Sequence, residues 1–295
     1  MYVLASLSNS SVIESMGKWF QIPPGDPYFC VVGSPIAHSK SPDIHLAFGQ
    51  QFGIALRYQR IEIPANCFAN AVTEFVVEGG RGMSITVPLK EEAYAALTTL
   101  KPRAVLAGAA NMMTVATDGI TIADNVDGIG LVRDLTRNHR LSLIGKRLLL
   151  LGAGGAARGV IPSLLEENPG ELNIVNRTLT KAKDLVSRFS TQGSLQAFDY
   201  ESLPNGPYDL IINATSLSLS GQLPPLANGT IGALTCCYDM MYTVDGRTRF
   251  LDWCRDNGAG ACYDGLGMLV EQAAKSFSIW HGVEPDTASV IAALR

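Results

Sequence analysis

Hydrophobic and polar positions switch between two periods along most of this chain, predicting strands and helices in turn. Residues 29–32 are short and wholly apolar, as a strand covered on both faces would be. Residues 41–52 follow with helical spacing, opened by Pro42 in the first turn, where a missing N–H costs little. Strand-like alternation returns at 58–63, helical spacing at 65–78, and a strand at 82–87 that Pro88 stops. The pattern predicts a helix at 89–97, short β segments at 111–116 and 119–123, and a helix from Asp127 to Leu135. Strands are then expected near 147–151, 172–175, 195–198, 209–212, 234–239 and 259–263, with closing helices at 268–280 and 285–294.

Strands alternating with helices imply an α/β fold with mainly parallel sheets. A length of 295 residues suits two domains, each with its own core. The expected division is an N-terminal extension at 1–25, a substrate domain at 26–126, a Rossmann-type dinucleotide domain at 127–264, and helices at 265–295. Those helices carry polar residues suited to the first domain's chemistry, so the chain is expected to return to it, leaving an active-site cleft between the domains.

The sharpest local signal is Gly152-Ala-Gly-Gly-Ala-Ala157, between an apolar strand and a helix start. Gly152 permits the tight turn, Gly154 lets backbone N–H groups approach a pyrophosphate, and Ala157 allows close helix–strand packing. The helix end points unpaired N–H groups and a positive dipole at the phosphates. The next strand ends in Asn176-Arg-Thr178, where an NAD site would want a carboxylate for the ribose hydroxyls. Asn176 with Arg177 instead suits a 2′-phosphate, which a planar guanidinium grips with two charge-assisted bonds. Lys181 adds a second cation that only an anion would reconcile with the first. NADP is therefore the expected cofactor.

Bulk numbers narrow the rest. A net charge of −4, a pI near 5.6 and 17% charged residues give no electrostatic footprint for nucleic acid or anionic lipid. No apolar run is long enough to span a membrane, and the first residues lack the charged start of a signal peptide. The six cysteines and four histidines are scattered without ligand spacing, so neither a disulfide framework nor a metal is expected. The reading is of a cytoplasmic protein; oligomeric state is left open, with a homodimer as the candidate assembly.

Four polar clusters fall at strand ends or helix starts, where open α/β sheets bind ligands. Ser39 and Ser41 offer hydroxyls beside a helix N-terminus, a good place for a carboxylate, although Ser41 alone would read as a helix cap. Thr86 and Lys90 straddle Pro88 at the sheet edge. Asn111 can both donate and accept, which suits a hydroxylated ligand. Asp127 begins a helix, so capping competes with function there too. A Lys90–Asp127 pair at a domain junction would supply the proton that ketone reduction requires.

Together these motifs resemble the shikimate dehydrogenase family across residues 28–290. The resemblance rests on Gly33-Ser-Pro-Ile-Ala-His-Ser-Lys-Ser-Pro42, Thr86-Val-Pro-Leu-Lys90, Gly108-Ala-Ala-Asn111 and Asn125-Val-Asp-Gly128. It extends through the glycine turn, Asn176-Arg-Thr178, Asn213-Ala-Thr-Ser216 and Asp264-Gly-Leu-Gly-Met-Leu-Val-Glu-Gln272. It implies NADP-dependent, reversible reduction of 3-dehydroshikimate to shikimate, with Lys90 and Asp127 as the catalytic pair. It further implies Ser39, Ser41 and Tyr242 at the substrate carboxylate, and Thr86, Asn111 and Gln272 at the ring hydroxyls. For the cofactor it implies Gly152, Ala153, Gly154, Gly155, Ala156 and Thr215 along the phosphate path. Asn176, Arg177, Thr178 and Lys181 would lie at the 2′-phosphate, and Met240 and Gly265 at the nicotinamide. Departures from the family pattern are Ser84 for asparagine, Val126 for threonine, Leu217-Ser218 for Gly-Met, and Thr243-Val-Asp-Gly246 for a proline-containing segment. Alternatives are a quinate/shikimate dehydrogenase of broader specificity and a non-catalytic NADP-binding paralogue; the retained Lys90, Asp127, Asn111 and Gln272 argue against the latter.

Overall fold

Two six-stranded sheets account for the alternation along the chain. The computed structural model describes residues 18–215, 217, 222–227 and 229–295; positions 1–17 of the expected extension, Ser216 and Ser218 lie outside them. The first sheet runs β2-β1-β3-β5-β6-β4, with β1 (Tyr28–Gly33), β2 (Arg57–Glu62), β3 (Gly82–Ile85), β4 (Thr99–Leu100), β5 (Met112–Val115) and β6 (Thr121–Asp124). Its pairs are parallel except those of β5, which runs against both β3 and β6. The reversal is local: Ala116 N donates to Ile120 O at 2.8 Å, closing a hairpin too short for any parallel crossover. Helices α1 (Ser41–Phe52), α2 (Phe68–Val77), α3 (Lys90–Ala96) and α4 (Pro102–Ala107) connect these strands.

The second sheet is wholly parallel, in the order β12-β11-β10-β7-β8-β9. Its strands are β7 (Arg147–Leu151), β8 (Glu171–Val175), β9 (Leu195–Phe198), β10 (Leu210–Asn213), β11 (Cys236–Asp239) and β12 (Ala261–Asp264). Helix α5 (Asp127–Arg133) precedes it and passes into a single π-helical turn at Asp134–Asn138; α6 (Gly155–Glu166), α7 (Leu179–Phe189) and α8 (Arg249–Asp256) lie within it. The strand order reverses between β7 and β10, which opens a ligand crevice at their C-terminal ends.

Period two decides the cores. In β7, Leu148 and Leu150 enter one apolar cluster while Leu149 and Leu151 enter another, all fully buried. Each such leucine stabilises the fold by roughly 1.5–3 kcal/mol. In β1, Phe29 and Val31 face one way, and Cys30 and Val32 the other. Helix α9 (Leu266–His281) bridges the halves. Its Val270, Ala273, Ala274 and Phe277 pack with Phe29 and Val31, whereas Met268 joins the cluster of Leu148 and Leu150. Helix α10 (Thr287–Leu294) closes the chain beside it. A side chain at Gly130 would sit 2.7 Å from Met268 O and 2.8 Å from Gln272 Cβ, so glycine there lets α5 and α9 touch.

Three elements go beyond the sequence expectation. Helix α4 is six residues with two buried alanines, and β4 is two residues, both shorter than any periodicity window. Helix α8 buries Phe250, Leu251 and Cys254, a spacing its eight residues display once.

Candidate active site

Lys90 is placed by the sequence around it. Pro88 cannot continue the ladder, buried Leu89 anchors the turn in the first core, and α3 starts at Lys90 itself. Ala110 N holds the Lys90 carbonyl at 2.9 Å. From there Lys90 Nζ donates to Asp127 Oδ2 at 2.7 Å. The Asp127 side chain is 4% exposed and that of Lys90 23%, so the carboxylate is buried while its cation still reaches water.

Asn111 is the hub. Its Nδ2 donates to Asp127 Oδ1 at 2.9 Å and to Gln272 Oε1 at 3.0 Å, and its Oδ1 accepts from Val126 N at 2.9 Å. Asn125 Oδ1 accepts from Asp127 N at 3.1 Å, and its amide donates to Ala109 O at 3.1 Å. Behind them a two-pronged Arg103 pairs with buried Asp124. Asp127 makes no capping bond to its own helix. Both of its oxygens are occupied by Lys90 and Asn111, as a buried carboxylate requires. The structure thus brings Lys90, Asp127, Asn111 and Gln272 into one hydrogen-bonded set.

The serine cluster also departs from simple capping. Lys40, not Ser41, precedes α1, and no side chain caps it. Ser39 Oγ donates to Ser41 Oγ at 3.2 Å, Ser41 N donates back to Ser39 Oγ at 3.3 Å, and Arg60 Nε donates to Ser39 O at 2.6 Å. Thr86 follows Ile85 at the end of β3, its methyl packed where a side chain on Gly33 would stand. Tyr242 is half-buried, and burial pushes its hydroxyl pKa up. Neither Thr86 nor Tyr242 is joined to the Lys90 set by a hydrogen bond. A residue read from the sequence only as part of a strand is Tyr58, whose hydroxyl donates to Ser84 Oγ at 2.7 Å. Tyr58 stacks on His45 at 4.4 Å, and burial holds its hydroxyl protonated far above the ordinary range. Only the pairing of β2, β1 and β3 puts residues 58 and 84 together, so no local signal would have found it.

At the crevice of the second sheet, Gly152 has φ +103°, and a side chain there would meet Thr215 Cγ2 at 3.1 Å and Ala214 O at 3.3 Å. Ala153 follows it, and a Cβ on Gly154 would meet nothing within 4 Å, leaving open space ahead of Gly155 and Ala156 at the start of α6. Thr215 N and Oγ1 both donate to Asn213 Oδ1, at 3.1 and 2.7 Å, and Asn213 Nδ2 donates to Asp239 Oδ1 at 3.2 Å. Met240 N donates to Asn213 O and Gly265 N to Met241 O, setting Met240 and Gly265 side by side at the ends of β11 and β12. Asn176 Nδ2 closes on Thr178 O at 2.9 Å. Arg177, Thr178 and Lys181 are exposed, and neither cation has a hydrogen-bond or ion-pair partner among the described residues. Arg177 lies close enough to half-buried Tyr200 to pull its pKa down, against the larger upward push of burial. A glycine-rich turn, a helix N-terminus facing open space and two unpaired cations fit a dinucleotide with an extra phosphate. Among the described residues, no cluster of His, Cys, Asp and Glu is arranged to hold a metal, and no helix is long and apolar enough to cross a membrane.

Comparison with known proteins follows the same geography. Residues 31–113 match the shikimate dehydrogenase substrate binding domain, 134–220 match shikimate / quinate 5-dehydrogenase, and 265–295 match the shikimate 5′-dehydrogenase C-terminal domain. A shikimate dehydrogenase (NADP(+)) of Alkalilimnicola ehrlichii is 51% identical over 267 residues, which cover 90% of this chain and 98% of that protein. The chain belongs to the shikimate dehydrogenase family. Among solved structures, an Ael1 enzyme from Pseudomonas putida is 42% identical with a TM-score of 0.85, covering 91% of this chain and 98% of that one. Shikimate 5-dehydrogenase from Thermus thermophilus, in complex with NADP(H) and shikimate, is 28% identical with a TM-score of 0.76, again covering 91% and 98%. The three matched segments therefore run in order along this chain, from the substrate binding domain to the C-terminal domain.

Proposed function

We propose that this chain interconverts 3-dehydroshikimate and shikimate with NADP as cofactor, using Lys90 and Asp127 to move the proton. The observation that carries this reading is the 2.7 Å Lys90–Asp127 contact, part-buried within a set that also holds Asn111 and Gln272. In reduction, the Lys90 ammonium donates a proton to the substrate's carbonyl oxygen, and its partial exposure lets solvent return that proton. Asp127 holds the ammonium in place and balances its charge. Asn111 fixes the carboxylate from the other side and, through Gln272 Oε1, leaves the Gln272 amide nitrogen to donate to a ring hydroxyl. Ser39 and Ser41, at the start of α1, receive the substrate carboxylate with Tyr242, and Thr86 serves a ring hydroxyl.

Gly152, Ala153, Gly154, Gly155, Ala156 and Thr215 would hold the cofactor's phosphate path. Asn176, Arg177, Thr178 and Lys181 would hold its 2′-phosphate, and Met240 and Gly265 its nicotinamide end. When bound, NADP supplies the hydride. In this reading residues 26–126 and 265–295 form the substrate domain, and 127–264 the NADP domain. Support comes from α9, which packs on β1 and delivers Gln272 to Asn111. The test is shikimate-dependent formation of reduced nicotinamide by the purified protein, compared across NADP, NAD, shikimate and quinate. The highest kcat/KM is expected for NADP with shikimate. A preference for NAD contradicts the cofactor assignment, and an absence of turnover contradicts the activity.

A further inference from the structure

Among the ion pairs that join the two halves, that of Arg158 with Glu91 lies beside both sites. Glu91 follows Lys90 in the first turn of α3, and Arg158 lies in the first turn of α6, directly after the glycine turn. Arg158 donates to Glu91 Oε1 at 2.6 Å. That carboxylate oxygen stands 3.8 Å from where a Cβ on Gly155 would be, so an anion already sits beside the helix end that would face the dinucleotide phosphates. The Glu91 side chain is 69% exposed and that of Arg158 23%. The Nε of Arg158 is buried without a hydrogen-bond partner, so its guanidinium has an unused donor. The nearby Arg188 is anchored to Val105 O at 2.7 Å rather than to Glu91. Two anions at one helix N-terminus repel unless a cation stands between them.

We propose that Arg158 is a positioning residue that neutralises Glu91 toward the cofactor phosphates and thereby lets α3, with Lys90, close over the loaded glycine turn. This inference rests on the proposed function and deepens it. Affinity for the cofactor and placement of Lys90 are coupled through this pair, although neither residue takes part in proton transfer. Glu91 then lowers affinity only where its cation is missing: without Arg158 the carboxylate repels the phosphates, and without both residues the repulsion is gone.

The test is the NADPH dissociation constant, read from ligand fluorescence, for the wild type, Arg158→Ala, Glu91→Ala and the double variant, with melting temperatures alongside. Arg158→Ala is expected to weaken binding by about tenfold and Arg158→Lys by much less. The double variant is expected to return to within about twofold of the wild type. Glu91→Ala is expected to bind NADPH as tightly as the wild type while kcat falls, because Lys90 loses its tether to α6. A merely structural arginine would not be rescued by a second deletion. Additive losses in the double variant, or an Arg158→Ala protein that binds like the wild type, overturn the proposal. A wild type that binds no NADPH at all overturns the proposed function and this inference with it.

Discussion

The Lys90–Asp127 set and the Arg177–Lys181 corner of the second sheet, the proposed proton-transfer and 2′-phosphate sites, are built in opposite ways. At the first, Lys90, Asp127, Asn111 and Gln272 satisfy one another through hydrogen bonds of 2.7–3.0 Å, and Asp127 is nearly sealed from solvent. At the second, Arg177 and Lys181 stand exposed without a hydrogen-bonding partner among the described residues. A carboxylate that must be buried in order to aim an ammonium requires partners within the protein. A phosphate grip must stay hydrated and open until its anion arrives. Substitutions at the first place should therefore affect both chemistry and stability, and at the second only affinity.

The largest expected effect comes from Lys90→Ala. Loss of the proton donor should lower kcat by about 10²–10⁴-fold. Leaving one Asp127 oxygen without its cation should also lower unfolding free energy by about 1–3 kcal/mol, read from urea denaturation. Near-normal turnover with unchanged substrate binding would break the comparison at its stronger side. Next, Arg177→Ala should raise the KM for NADP by about 10–100-fold through loss of charge-assisted bonds. Stability should stay within about 0.5 kcal/mol and the KM for NAD should not move. Loss of stability here would show that the corner is not built as an open grip.

A pH series sharpens the same contrast. Buried His45, stacked under Tyr58 in the substrate half, has its pKa lowered from 6.5 to about 3, first by burial and then by the charge of His281. Between those values the unfolded chain binds a proton that the folded chain does not. Stability is therefore greatest above pH 6.5 and falls on acidification toward pH 3, by up to about 1.4 kcal/mol per pH unit. His45→Phe should remove that part of the slope in urea midpoints measured from pH 7 to pH 4. The smallest effect belongs to Lys181→Ala, a few-fold rise in the KM for NADP that shrinks with added salt, as an exposed charge requires.

Much of this was legible in the residues themselves. The leucines of β7 and the glycines after them announce a buried strand and a phosphate turn because side-chain period and backbone freedom are local properties. Lys90, Asn111 and Asp127 were likewise visible as polar residues at strand ends or helix starts, whereas Gln272, inside α9, came only from the family resemblance. Invisible was the hub role of Asn111, since its bonds reach residues 127 and 272 and exist only once α5 and α9 have packed at Gly130. The same holds for Tyr58 with Ser84 and for Arg158 with Glu91, pairs distant in sequence and joined by tertiary packing. The antiparallel β5 was hidden for another reason: strand alternation carries no direction, and only the tight 116–120 turn sets it.

The most direct test of the central claim is shikimate oxidation with NADP by the wild-type protein and by Asp127→Asn, with NADPH affinity measured on both. The expected result is robust shikimate-dependent turnover that falls at least about 100-fold in the variant while NADPH binding is unchanged. A variant that turns over as fast as the wild type, or a wild type without shikimate-dependent turnover, would contradict it.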